Sequence, residues 1–139
     1  MIIYLDASAL IKLYIQEAGS AQVGEQVNQA DLSGTIDLTK VEMAAAFAKA
    51  VRMQMISSHD LQTAWWDFST QWPSLYQLDV SEALRERAIQ NIWDHPLRGY
   101  DAMHLAAALI WQETFGEEIV FGTFDKALWQ AGAESGLQI

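Results

Sequence analysis

Ile2-Ile3-Tyr4-Leu5-Asp6 places an aspartate directly after a short run of large apolar residues. Such a run without polar alternation is the pattern of a strand covered on both faces. Two further runs read the same way: Thr35–Leu38 after Gly34, and Ile119–Gly122. A weaker one, Leu75–Leu78, follows Pro73, and Leu137–Ile139 reads as an edge strand. Helical segments are expected between them: Ser8 to Glu17, Ser20 to Ala30, Thr39 (as cap) to about Met55, one from Ser58, one from Ser81, Tyr100 to Phe115, and a short one after Asp125. Alternating strands and helices predict a three-layer α/β fold, with a central parallel sheet of four to five strands flanked by helices.

The 139 residues suit one domain, expected to span 1–139. About half are apolar, enough for a core, and no cysteine is present. Charges interrupt every apolar stretch well short of the roughly 20 residues of a membrane span. The first residues lack a basic start and a signal-type apolar region. The expectation is a soluble, cytoplasmic protein with no membrane association. The balance of eight Lys and Arg against eighteen Asp and Glu, net −10, weighs against nucleic-acid binding unless cations or a partner supply positive charge.

Reactive sites of open α/β sheets lie beyond the carboxyl ends of the strands. Asp6 and Asp125 fall there, after the first and the Ile119–Gly122 runs. Glu42 is the only charge in Val41-Glu42-Met43-Ala44-Ala45-Ala46-Phe47-Ala48, and Asp101 opens a run to Ile110 with no other formal charge. A lone carboxylate among apolar residues needs a partner, and a hard divalent cation is one that takes oxygen ligands without Cys or His. The small residues Ala7, Ala44 to Ala46 and Ala106 to Ala108 are expected to let helices approach the sheet and bring these acids together. Asp125 and Asp101 are read equally well as helix caps; Asp6 and Glu42 are less readily explained that way.

Tyr4-Leu5-Asp6-Ala7-Ser8-Ala9-Leu10-Ile11-Lys12-Leu13-Tyr14 resembles the opening of PIN-domain nucleases, particularly the VapC-type toxins of bacterial toxin–antitoxin pairs. Val41 to Phe47 resembles their second acidic motif, Leu97 to Ala106 the third, and Gly122-Thr123-Phe124-Asp125-Lys126-Ala127-Leu128 the fourth. The motifs keep their order across nearly the whole chain. The resemblance implies a PIN-like fold and a Mg²⁺- or Mn²⁺-dependent endoribonuclease that cuts RNA. It assigns metal binding to Asp6 and Asp101, with Glu42 and Asp125 completing the catalytic pocket. It also implies a cognate antitoxin that blocks the site.

Neighbouring residues carry two readings each. Ser8 either hydrogen-bonds a ligand or substrate phosphate, or starts a helix; Thr123 either orients Asp125 or a water, or does neither. His104 lies on one helix face with Asp101 and is expected as a hydrogen-bonded residue at the pocket rim, touching substrate in the alternative. Lys12 meets RNA phosphate or is simply solvated. Leu61, Trp65, Phe68 and Trp72 form an apolar stripe; Trp66 lies off it, at a dimer or antitoxin surface or over a neighbouring helix, and a homodimer is expected. Competing functions are a catalytically silent PIN-like binding module and an aspartate-based phosphatase. The latter class carries a second Asp where this chain has Ser8.

Overall fold

The computed structural model describes residues 1–139. Its centre is a parallel sheet of four strands, β1 (Ile2–Leu5), β2 (Leu32–Ile36), β3 (Tyr76–Leu78) and β4 (Ile119–Gly122), in the order β3-β2-β1-β4. Seven helices surround it: α1 (Ala7–Leu10), α2 (Ser20–Gln29), α3 (Thr39–Arg52), α4 (Ser58–Gln71), α5 (Glu82–Asp94), α6 (Gly99–Phe115) and α7 (Lys126–Glu134). β1 has neighbours on both edges, and every one of its residues is buried. Side chains alternate across a strand, so β1 feeds two cores. Ile2 and Tyr4 pack with α5, α6 and α7 on one face. Ile3 and Leu5 pack with α1 to α4 on the other. This is the three-layer arrangement that the apolar runs predict.

Several boundaries differ from the sequence expectations, for local reasons. β2 begins at Leu32 because that residue pairs with Ile2; Asp37 and Leu38 turn the chain. Thr39 is not a cap: its hydroxyl pairs with that of Thr35 at 2.6 Å, and the helix starts without a side-chain cap. The helix expected from Ser8 to Glu17 is cut to one turn of α1 and a 3₁₀ turn, Ile11–Leu13. There the Ser20 hydroxyl donates to the Ile15 carbonyl and accepts from Glu17 N–H, replacing helical bonds with local ones. α3 stops at Arg52, short of Met55, before Gln54 at φ +59°. The Leu137–Ile139 strand reduces to one bridge, Val120 to Gln138, in which Phe121 N–H donates to the Gln138 carbonyl. Ala106 to Ala108 are fully buried, whereas Ala44 and Ala45 face solvent and do not bring α3 to the sheet.

Phe68 on α4 and Trp72, just after its end, are buried, and Leu61 and Trp65 pack against the same core. Trp66, off the stripe, is 71% exposed, which favours a surface position over packing on a neighbouring helix.

Candidate active site

Each of the acids singled out by sequence lies at the N-terminus of a helix. Asp6 is the N-cap of α1, Glu42 lies in the first turn of α3, Asp101 in the first turn of α6, and Asp125 is the N-cap of α7. Helix N-termini carry partial positive charge and unpaired N–H groups, which favour carboxylates. Four like charges at one end of the sheet are thereby each given a local offset.

Asp6 is the most enclosed, at 4% exposure. Its Oδ1 accepts from Ala9 N–H at 2.9 Å and from the Ser8 hydroxyl at 2.7 Å. Its Oδ2 accepts from the Thr123 hydroxyl at 2.5 Å. Ser8 Oγ in turn accepts from Phe124 N–H at 2.9 Å, and Thr123 Oγ1 from Asp125 N–H at 3.1 Å. The two hydroxyls thus clamp the loop after β4 onto the end of β1. Gly122 permits this close approach, since a Cβ there would lie 2.8 Å from Leu5 Cδ2. Burial pushes the Asp6 carboxyl above the usual carboxylate range. The bonds from Thr123, Ser8 and Ala9 pull against that rise. Ser8 is therefore a support for Asp6 as well as a residue of the first helical turn, and Thr123 orients Asp6 while accepting from the Asp125 backbone.

Glu42 finds its partner in His104. The imidazole Nε2 lies 2.7 Å from Glu42 Oε1, and Nδ1 lies 2.7 Å from the Tyr4 hydroxyl. His104 is hydrogen-bonded as expected, but it is 2% exposed and so lies inside the protein rather than at a rim. The one acid of α3 is thus met by a polar chain reaching into the core.

Asp101 and Asp125 share the guanidinium of Arg98, whose Nε lies 3.2 Å from Asp101 Oδ2 and Nη2 3.6 Å from Asp125 Oδ2. Asp125 Oδ1 also accepts from Leu128 N–H at 2.9 Å, so capping and site placement coincide in this residue. Asp101 caps nothing; the cap position of α6 is Arg98, without a side-chain bond. Glu42, Arg98, Tyr100, Asp101 and Met103 line one open cleft.

The acids are brought to one end of the sheet but not to one point. Asp6 is tied to Ser8 and Thr123, Glu42 to His104, and Asp101 with Asp125 to Arg98, and no three acidic or histidine side chains stand close enough to hold an ion together. The donors nonetheless fit a hard divalent cation. They are carboxylate oxygens, and Asp101 with Asp125 already flank one cation, the Arg98 guanidinium. Lys12 is enclosed rather than solvated. Its ammonium lies 2.9 Å from Glu17 Oε1 and 4.4 Å from the centre of the Phe124 ring. Tyr4 and Arg98 have site contacts that sequence reading did not assign. Tyr4 reads as one more apolar strand residue. Arg98, three residues before Asp101, has the spacing of a helical ion pair and was open to that reading.

A parallel sheet with acids at helix N-termini around one end is the class to which comparison with known families also leads. The family model described as PIN domain matches residues 3–133, and the chain belongs to that family. Among curated proteins it is similar to Ribonuclease VapC45 of Mycobacterium tuberculosis (strain CDC 1551 / Oshkosh), 32% identical over 108 residues, covering 78% of this chain and 75% of the relative. Ribonuclease VapC49 of Mycobacterium tuberculosis (strain ATCC 25618 / H37Rv) matches with the same identity and coverage.

Proposed function

We propose that this chain is a metal-dependent endoribonuclease that hydrolyses RNA phosphodiester bonds, and the toxin of a toxin–antitoxin pair. The observation that carries the reading is the placement of Asp6, Glu42, Asp101 and Asp125 at four helix N-termini around one end of the sheet. The ribonuclease names of the two mycobacterial relatives support the same activity. Asp6 and Asp101 are the principal ligands for Mg²⁺ or Mn²⁺, and Glu42 and Asp125 complete the set. When bound, a divalent ion supplies positive charge to phosphate oxygens and makes water easier to deprotonate at neutral pH.

The chain's own residues prepare that site. Ser8 and Thr123 hold both oxygens of Asp6, so the buried carboxylate has one orientation. His104 holds Glu42 at the cleft wall. Arg98 is the basic residue lining the cleft. Released from Asp101 and Asp125 by a metal ion, its guanidinium is free to pair with an RNA phosphate. This answers part of the objection raised by a net charge of −10. A basic antitoxin segment that enters the acidic cleft answers the rest.

Residues 1–139 act as one domain in this reading, in the cytoplasm and as a homodimer. No helix is long and apolar enough to cross a membrane. Trp66 and Trp93, both more than 70% exposed, offer apolar contact area. Sedimentation of the purified protein tests the dimer, and a short neighbouring gene encoding a basic, flexible C-terminus would support the toxin role. The direct test is cleavage of RNA with Mg²⁺ or Mn²⁺, with EDTA, and with Asp6→Asn. Metal-dependent cutting lost in the variant is expected; intact RNA with wild-type protein under all metal conditions contradicts the proposal.

A further inference from the structure

Asp6 and Tyr4 stand two residues apart at the end of β1, and the second has no role in the reading above. Tyr4 is fully buried. Its hydroxyl oxygen accepts from Ile36 N–H at 3.3 Å and lies 2.7 Å from His104 Nδ1. At the far side of the ring, Nε2 lies 2.7 Å from Glu42 Oε1. These contacts constrain where the hydrogens lie. An ionised carboxylate only accepts, so the hydrogen between His104 and Glu42 sits on Nε2. With its single ring hydrogen on Nε2, the imidazole would offer Nδ1 as the acceptor for the hydrogen of the Tyr4 hydroxyl.

We propose that Tyr4 is a positioning residue: through the sequence Ile36 N–H to Tyr4 O–H to His104 Nδ1, and His104 Nε2–H to Glu42, it fixes the tautomer of His104 and so the orientation of the Glu42 carboxylate. Oε1 is held by the histidine, and the other oxygen is left to the cleft that Glu42 lines. β1 then organises two acids, Asp6 by placing it and Glu42 through Tyr4. Partners that fix an outer hydrogen bond change metal affinity without touching the ion. The inference rests on the metal reading of the site for its consequence, though not for the order of the hydrogen bonds.

Two measurements test it. In ¹⁵N NMR of the wild-type protein, with His104 assigned by comparison with His104→Asn, the neutral Nε2–H tautomer is expected. A ring carrying hydrogen on Nδ1, neutral or cationic, overturns the proposal, and this result does not depend on any variant folding. Mn²⁺ calorimetry then compares wild type, Tyr4→Phe, Glu42→Gln and the double variant. Tyr4→Phe is expected to weaken Mn²⁺ binding by about 10-fold, with no further loss when Glu42 is already Gln. A merely structural role would lower affinity equally in both backgrounds, and that result, or unchanged affinity in Tyr4→Phe, overturns the positioning role. A wild-type protein that binds no Mn²⁺ overturns the metal reading itself, an outcome distinct from wild type and Tyr4→Phe binding equally.

Discussion

Asp6 and Asp101 stand at the same end of the sheet, yet they are held in opposite ways. Asp6 is 4% exposed, with both oxygens tied to neutral donors from α1 and the loop after β4. Asp101 is held only by Arg98, whose side chain is 83% exposed and is shared with Asp125. Glu42 belongs with Asp6, since its partner His104 is buried and anchored to a strand. One half of the acidic group is preorganised by short buried hydrogen bonds; the other is held by an exposed ion pair that solvent screens and an entering cation can replace. The contrast teaches that placement and adaptability are divided between the strand side and the α6–α7 side.

The largest effect is expected from Asp6→Asn. RNA cleavage should fall by roughly 10³-fold, the scale of losing a metal-ligand charge worth several kcal/mol. Stability should move the other way. Burial raises the folded-state pKa of Asp6, so this group favours folding in acid, and that contribution is lost as pH rises from the ordinary carboxylate range through the raised value. Thermal unfolding in EDTA should therefore show Asp6→Asn gaining melting temperature at pH 7 and gaining less or nothing near pH 4. Equal melting shifts at both pH values would remove the burial argument.

Thr123→Val tests the preorganised half more gently. It removes the hydroxyl on Asp6 Oδ2 and the acceptor of Asp125 N–H together. About a 10-fold loss of Mn²⁺ affinity is expected, measured by calorimetry. An unchanged affinity would mean that the clamp is not needed to hold Asp6.

Arg98→Gln should separate the halves. With the competing guanidinium gone, Mn²⁺ should bind more tightly while the KM for RNA rises, and melting temperature should change little because the pair is exposed. Weaker Mn²⁺ binding would show that Arg98 supports the site instead of occupying it. Trp66→Ala is expected to do least, leaving metal affinity and cleavage unchanged and reducing only self-association, which sedimentation would record.

The strands and the positions of the acids were legible in the sequence, but unevenly, and the division between the two halves was not. The runs at β1 and β4 declare buried parallel strands because every residue must be apolar when both faces are covered. Asp6 and Asp125 follow from strand ends, and Glu42 and Asp101 stand out as isolated charges in apolar surroundings. The boundary of β2 was not legible, because Leu32 becomes strand only by pairing with Ile2, a contact between distant parts of the chain. The truncation of the first helix depends on Ser20 reaching back to Ile15, another choice that periodicity does not record. The partners of the acids were hidden for the same reason. His104 reads as near Asp101 because they share a helix, but its bonds go to Glu42 and Tyr4, on α3 and β1. Lys12 reads as solvated because lysines usually are, whereas Glu17 and the ring of Phe124 cover it.

In the proposed site, acids arriving from four helix N-termini hold a divalent ion at the end of the sheet. Diffraction from crystals soaked in Mn²⁺, recorded at the manganese absorption edge, tests it most directly. An anomalous peak bound by Asp6 and Asp101, with Glu42 or Asp125 beside it and the Arg98 guanidinium displaced, is the result expected. Crystals of cleavage-competent protein that show no manganese among these acids at saturating Mn²⁺ would contradict it.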